Sequence, residues 1–109
     1  MAATKLIVIY PTPKDLDAFE RAYSSEHIPM AAPGFKAAGA TRAALTKVVR
    51  GTSGNAPYHR IAEIHFPSTA VLEACLASKT GREILDHARA ISNGGAPIVM
   101  TAEEEVVTF

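Results

Sequence analysis

His27 is the side chain in this sequence whose type and position best suit acid–base chemistry. Tyr23, Phe19 and Leu16 precede it by four, eight and eleven positions, which places the set on one face of an α-helix. That stripe is apolar, so the helix should bury the imidazole against the core. Burial lowers the pKa of a histidine, whereas the helix C-terminus and neighbouring Glu26 raise it. The sequence therefore predicts an imidazole that titrates near neutral pH and can act as a general acid or base.

Tyr10 and Tyr23 are the hydroxyl-bearing aromatics expected beside His27. Their hydroxyls could orient the polar end of a ligand, from whose activated carbon or phenol His27 removes a proton. The structural alternative makes each tyrosine a core residue whose hydroxyl reaches water. It likewise makes His27 a buried histidine that hydrogen-bonds a carbonyl and closes the helix. Both interpretations stay open on the sequence alone.

Polar side chains alternate with apolar ones along Tyr58–Phe66, which has the period of a β-strand. Arg60 shares one face with apolar residues, and His59, Glu63 and His65 occupy the other. Those three line a wet interior or an interface, or form a metal or proton-transfer group. His59 and His65 stand roughly 20 Å apart along a strand, too far to share one metal ion. No metal site is therefore predicted.

The remaining candidates indicate structure rather than chemistry. His87 follows Glu83 by one helical turn, a spacing that predicts a solvated helix face. Cys75, beside Leu72 and Leu76, predicts a small buried hydrophobe. The sequence carries no glycine-rich phosphate loop, no Ser/His/Asp arrangement and no reactive-cysteine context. We therefore expect no flavin, nicotinamide or other cofactor.

Composition limits the class of protein and its partners. The chain has 109 residues, which fits a single domain spanning 1–109. Lys+Arg and Asp+Glu both number 11, so no basic excess is available to neutralise nucleic-acid phosphates. The apolar run 6–10 is too short to span a membrane or to act as a signal peptide, and we expect a cytoplasmic protein. A domain this small gains from burying more surface in a homodimer.

Apolar periodicity and turn-forming residues divide the chain into strands and helices. In chain order we predict a strand at 5–10, a helix at 13–27, strands at 39–50 and 58–66, helices at 69–78 and 80–91, and a strand at 97–107. Thr12, Ser68 and Thr80 should cap the three helices. Pro29 should end the first helix, and Pro33-Gly34 then predicts a turn.

The order strand, helix, strand, strand, helix, strand is the split β-α-β pattern of the ferredoxin-like fold. It predicts an α+β sandwich with a four-stranded antiparallel sheet, helices on one face, and strands two and four at the edges. Arg42, Lys47 and Arg50 make strand two basic, and Glu103–Glu105 makes strand four acidic. We therefore expect these edges to meet across a two-fold axis and to close two sheets into a dimeric α/β barrel.

Six short segments stand out as an ordered set along the chain. They are Lys5–Pro11, Phe19 with Tyr23, His27-Ile28-Pro29, Pro33-Gly34, Tyr58–Glu63 and Gly94-Gly95. Together they resemble the EthD family of dimeric α/β-barrel proteins. The resemblance implies a ferredoxin-like protomer that dimerises through its sheet, with a cleft between sheet and helices. Relatives in the wider superfamily include cofactor-free monooxygenases of aromatic polyketides, muconolactone-type isomerases and haem-handling proteins, and fold alone does not choose among them.

The predicted function is that of a cofactor-independent enzyme, isomerase- or monooxygenase-like, acting on a small apolar or aromatic organic molecule. His27 would be the acid/base, and Tyr10 and Tyr23 would hold the ligand's polar end. The alternative is a non-catalytic accessory protein of a degradation or biosynthesis pathway that binds a small molecule in the same cleft. Two further interpretations are haem handling, with His27 or His65 on the iron, and a purely structural dimer.

Overall fold

A computed structural model describes residues 3–109. The elements are β1 (Ala3–Pro11), α1 (Leu16–Ala22), a π-helical turn called the π turn below (Tyr23–His27), α2 (Ile28–Ala37), β2 (Arg42–Lys47), β3 (Tyr58–Phe66), α3 (Thr69–Ala77), α4 (Lys79–Ile91) and β4 (Ile98–Glu104). The strands form one antiparallel sheet in the order β2-β3-β1-β4. The predicted α+β fold is therefore confirmed, with the first and third strands central and the second and fourth at the edges.

β1 is central because its side chains have apolar neighbours on both sides of the sheet. Leu6, Val8 and Tyr10 face the helices and are buried in the core. Burial of an aliphatic side chain of this kind contributes about 1.5–3 kcal/mol relative to leaving it exposed. Ile7 and Ile9 point to the opposite face, which no helix of the described chain covers, and both are half-buried.

The first helix begins and ends later than the sequence predicts. Asp15, not Thr12, is its N-cap, because the Asp15 side chain accepts a hydrogen bond from the Ala18 amide at 3.0 Å. The chain does not stop at Pro29 but winds on through the π turn into α2. The π turn adds an extra residue to the winding, and Pro29 then lies in the first turn of α2. The first turn is the part of a helix that tolerates proline best.

Pro33-Gly34 lies inside α2 and is not the predicted turn. Gly34 is needed for close packing of α2 against α4. A Cβ at this position would stand 2.8 Å from Ile84 Cδ1 and 3.1 Å from Thr80 Cγ2. The glycine therefore marks a helix–helix contact, and the local sequence signal for a turn is overridden by tertiary packing.

The two helices after β3 follow the prediction more closely. Ser68 caps α3, as expected, through its hydroxyl oxygen and the Val71 amide. α4 is capped by Ser78, not by Thr80, because the Ser78 hydroxyl accepts from the Gly81 amide at 3.0 Å. Cys75 is buried, as predicted. Within residues 3–109, no helix is long and apolar enough to cross a membrane.

Both edge strands are shorter than predicted. α2 runs to Ala37 and is followed by Gly39 at a φ of 103°, so β2 cannot start before Arg42. β4 ends at Glu104, the cross-strand partner of Ala3, the first residue of β1.

The sheet face away from the helices carries a group of apolar side chains, which we call the open sheet face. Cross-strand partners share a face, and the register pairs Ile7 with Met100 and Ile9 with both Ile61 and Ile98. Ile98 and Met100 are 38% and 42% exposed. No helix or loop of residues 3–109 forms a covering layer on this face.

Candidate functional site

The fold brings the three predicted site residues together. Tyr10 lies near the end of β1, and Tyr23 and His27 are the first and last residues of the π turn. All three are buried, and His27 is only 5% exposed. The Tyr23 and His27 rings stack with centroids 6.0 Å apart, and the Tyr10 ring meets the Tyr23 ring edge-on at 5.5 Å. Their roles in binding or catalysis stay a prediction.

The apolar stripe before His27 is buried only in part. Phe19 is fully buried and packs against both tyrosine rings. Leu16 is 49% exposed, so its predicted place on the buried face is wrong. It is the first residue of α1, and there it borders the exposed segment around Val48 and Val49 instead of the core.

A cavity of about 60 Å³ lies between the sheet and the helices. A single buried water occupies roughly 10–15 Å³ of such a cavity, so the space suits a ligand of a few non-hydrogen atoms. Apolar side chains from β1, β2 and β3 form one wall, namely Val8, Ala43, Leu45, Ala62 and Ile64. The opposite wall comes mainly from α2 and α4. The polar side chains on the lining are those of Tyr10, Tyr23 and His27.

The hydroxyl of Tyr23, whose side chain is part of the cavity lining, is buried and has no hydrogen-bond partner among residues 3–109. A buried polar atom left unpaired costs about 1–3 kcal/mol. Arg60 lies over the Tyr23 ring, 5.0 Å from its centroid. Glu20 holds that guanidinium with two hydrogen bonds of 2.7 and 3.1 Å. The hydrogen bonds from Arg60, and to a smaller extent the nearby His59 imidazole, lower the pKa of Glu20 to about 2, so the Arg60–Glu20 pair stays charged at neutral pH.

The electrostatics of the site keep its groups neutral. Burial, and then the charge of nearby His87, lower the pKa of His27 to about 4. Of the opposing effects weighed from the sequence, burial therefore wins. Burial also raises the pKa of Tyr10 and of Tyr23. At pH 7 the cavity thus faces a neutral imidazole and two protonated phenols.

His87 belongs to this site, contrary to the predicted solvated helix face. Its Nδ1 lies 2.9 Å from His27 Nδ1, and the two rings are within 5° of parallel. The other His27 nitrogen, Nε2, lies 3.4 Å from the Tyr10 hydroxyl. The sequence signal was available, because residue 87 follows the buried Ile84 by three positions and so borders the inward face of α4.

His59 does not share a face with Glu63 and His65, and that prediction is wrong. The register pairs Tyr10 with Arg60 and then Pro11 with Tyr58, which leaves His59 as the extra residue of a bulge. Its ring therefore turns towards α1 and lies 5.7 Å from the Phe19 ring. Its Nε2 stands 3.2 Å from Glu20 Oε2 but is not aligned for a hydrogen bond.

Among residues 3–109, Glu63, His65 and Glu104 have ligand atoms close enough together to hold a metal ion. The Lys5 ammonium already lies between the two carboxylates, at 2.8 Å from Glu63 and 3.0 Å from Glu104. Lys5 hydrogen-bonds Glu104 and lowers the pKa of that carboxyl. The Lys5 ammonium thus already provides the positive charge that balances these two carboxylates.

Comparison with solved structures identifies the fold of this chain. An EthD family protein from Bacillus halodurans superposes with a TM-score of 0.85 at 23% identity, covering 94% of this chain and 99% of that one. An EthD-like protein from Ralstonia eutropha gives 0.73 at 19% identity, covering 94% and 92%. A dimeric ferredoxin-like protein of unknown function from Jannaschia gives 0.63 at 16% identity, covering 93% and 99%. These likenesses show the ferredoxin-like fold.

The family follows from the sequence model. The EthD domain model matches residues 12–91, and the chain therefore belongs to the EthD family. A search of curated proteins found no match.

Proposed function

We propose that this protein binds a small, largely apolar organic molecule in the cavity and acts on it without a cofactor, with His27 as the acid/base. The observation that best supports this proposal is an apolar cavity whose polar lining consists of a buried imidazole and two phenol groups. An apolar pocket with a few convergent polar groups is the usual form of a small-molecule site.

The chemistry would begin at His27 Nε2, the ring nitrogen nearer Tyr10. A neutral imidazole can take a proton from an activated carbon or a phenol. The Tyr23 hydroxyl, which lacks a partner in the described chain, would donate to an oxygen of the ligand. In an isomerase-like reaction the proton returns to a different atom of the substrate. In a monooxygenase-like reaction the deprotonated substrate reduces dioxygen.

The second candidate is an accessory protein that binds the same molecule and does not turn it over. The low basicity of His27 favours this alternative, because burial and His87 lower its pKa to about 4. Haem handling at His27 is not proposed, because a cavity of about 60 Å³ is far too small for a porphyrin.

The test compares His27→Ala with the unmodified protein. Native mass spectrometry of gently purified protein would first show whether a small molecule is retained, and small candidates that fit the cavity, lactones among them, would then be screened for binding and turnover. Turnover that is lost in His27→Ala with binding retained supports the enzyme. Binding with no turnover in either protein supports the accessory role. Turnover that survives in His27→Ala contradicts the acid/base assignment.

We further propose that two copies pair through the open sheet face. The part of the chain that the structure describes leaves five apolar side chains on that face without a covering layer, namely Ile7, Ile9, Ile61, Ile98 and Met100. Contiguous exposed apolar surface of this kind marks an interaction site. Ferredoxin-like neighbours from Jannaschia and Bacteroides fragilis are described as dimeric, which supports a second copy as the partner.

A further inference from the structure

The two nitrogens of the His27 ring have different surroundings. Nε2 lies at the cavity, 3.4 Å from the Tyr10 hydroxyl. Nδ1 faces away from Tyr10 and lies 2.9 Å from Nδ1 of His87. The His87 side chain is 26% exposed, and its own Nε2 lies 4.0 Å from a carboxylate oxygen of Glu26, whose side chain is 65% exposed. His87 therefore stands between the buried imidazole and solvent.

A contact of 2.9 Å between two imidazole nitrogens requires a proton between them, because two bare lone pairs would repel. When both rings are neutral, two arrangements satisfy this requirement. In the first, His27 Nδ1 carries the proton and His27 Nε2 is bare towards the cavity. In the second, His87 Nδ1 carries the proton and His27 Nε2 is protonated towards the cavity. The first arrangement makes His27 a base, and the second makes it an acid.

We propose that His87 is a positioning residue that relays protons between His27 and solvent, an inference that rests on the proposed acid/base role of His27. In the forward step a proton leaves the substrate and forms the N–H bond at His27 Nε2. The proton on His27 Nδ1 passes to His87 Nδ1, and the proton on His87 Nε2 passes to water. The substrate becomes an anion, water carries the proton away, and both imidazoles end neutral. The reverse sequence delivers a proton to the cavity.

A proton relay avoids the cost of placing a positive charge on a buried imidazole. An isolated His27 that accepted a proton would become a buried cation, and burial disfavours that state. The groups that face His27 are Tyr10 from β1, Tyr23 from its own turn and His87 from α4. Glu26, the residue before it in the chain, is exposed and points to His87, and among residues 3–109 no carboxylate forms an ion pair with His27. Passing the proton on through His87 avoids the buried cation altogether.

The test measures how fast the ring N–H proton of His27 exchanges with water, by NMR of the ¹⁵N-labelled protein without ligand. His87→Phe keeps a flat ring beside His27 but removes both nitrogens. We expect exchange at His27 to slow by about tenfold or more. A merely structural loss at residue 87 would loosen the site and speed exchange, so an unchanged or faster rate overturns the proposal. Asp86→Asn, which changes an exposed neighbour on the same helix, is the matched control and should leave the rate unchanged.

A second measurement needs no variant. A scalar coupling between the Nδ1 nuclei of His27 and His87 is expected in the unmodified protein, and its absence overturns the proposal. Turnover separates this inference from the proposed function. If His27→Ala abolishes turnover and His87→Phe leaves kcat unchanged, the acid/base role stands and the relay falls. If His87→Phe lowers kcat and leaves KM unchanged, the relay is supported.

Discussion

At the scale of single residues, desolvation decides what the site can do. His27 is buried among aromatic rings, and within the described residues 3–109 no carboxylate forms an ion pair with it to stabilise a cation. Because the chain winds on into α2, no helix C-terminus lies at His27 to favour the cation, and burial, followed by the charge of His87, lowers its pKa to about 4. A neutral imidazole accepts a proton and, in its other tautomer, donates one. The same burial that depresses the pKa therefore allows His27 to work in either direction.

The depressed pKa of His27 should appear in the stability of the protein. Its ordinary value is 6.5 and its folded value is about 4, so below pH 6.5 the unfolded chain binds a proton that the folded chain refuses. Stability is therefore full above about pH 6.5 and is lost as pH falls towards about pH 4, by on the order of 3 kcal/mol. We expect urea unfolding to show this loss in the unmodified protein and a smaller one in His27→Gln. The other titrating groups are common to both proteins, so the difference between the two losses measures the His27 site. Equal loss in both would contradict the assignment.

The unpartnered Tyr23 hydroxyl separates stability from binding. Tyr23→Phe removes a buried polar atom with no partner in residues 3–109, so the free energy of unfolding should stay the same or rise by about 1 kcal/mol. If that hydroxyl binds a ligand oxygen, ligand affinity should fall roughly fivefold. Calorimetry with an identified ligand measures both effects. Tyr58→Phe, at an exposed tyrosine, is the control and should change neither. A destabilised Tyr23→Phe protein would mean that the hydroxyl has a structural partner.

The sequence locates His27, Tyr10 and Tyr23 because each lies on an apolar pattern that must face the core. His87 was missed because its helix also carries Glu83 at the right spacing for a solvated pair, and a local pattern cannot show which neighbour packs against it. His59 was assigned to the wrong face because one extra residue in a strand reverses the alternation. That bulge is set by the register against Pro11, which is a tertiary fact.

At the scale of secondary-structure elements, the π turn is the feature that builds the site. It joins α1 to α2 and places Tyr23 and His27 on the same side, facing the sheet and α4. π-helical turns within α-helices are frequent at functional sites. Their extra residue leaves no local signature, and Pro29 in the sequence indicates a helix end instead. The strands and the Ser68 cap of α3 were predictable from local chemistry, whereas the continuous helical winding through Pro29 was not.

The contact between α2 and α4 gives a test at this scale. Gly34→Ala would bring a methyl group 2.8 Å from Ile84 Cδ1, and overpacking of this kind costs about 1–3 kcal/mol. The gain in helix propensity, about 1 kcal/mol, offsets part of it. Ile84→Val removes that Cδ1 carbon. We therefore expect Gly34→Ala to destabilise the unmodified protein and to be neutral or stabilising when Ile84→Val is present. Chemical denaturation of both single variants and the double variant measures the coupling, and simple additivity would contradict the packing argument.

At the scale of the whole molecule, the sheet has one covered and one open face. The helices bury Leu6, Val8 and Tyr10 on one side, and Ile7 and Ile9 stay half-buried on the other. The continuous apolar run in the first strand predicts that both faces of the sheet are covered by other parts of the protein. Within residues 3–109, the helices cover only one of the two faces. The order of the elements was enough to predict the sheet topology. What covers the open sheet face was not predictable in detail from the sequence, because an interface depends on the shapes of the two surfaces that meet.

Ile7→Lys tests whether a second copy supplies that cover. In a two-fold interface each substitution occurs twice, so two ammonium groups would be buried in the contact, each beside a Glu63 carboxylate that is already paired with Lys5, which is strongly unfavourable. We expect the unmodified protein to have the mass of two chains by light scattering and Ile7→Lys to have the mass of one, with circular dichroism unchanged. Val49→Lys, at a residue that is 85% exposed and outside the sheet, should remain dimeric. Met100→Lys, at the cross-strand partner of Ile7, should repeat the effect of Ile7→Lys. If both open-face variants keep the mass of the unmodified protein, the open sheet face is not the dimer interface.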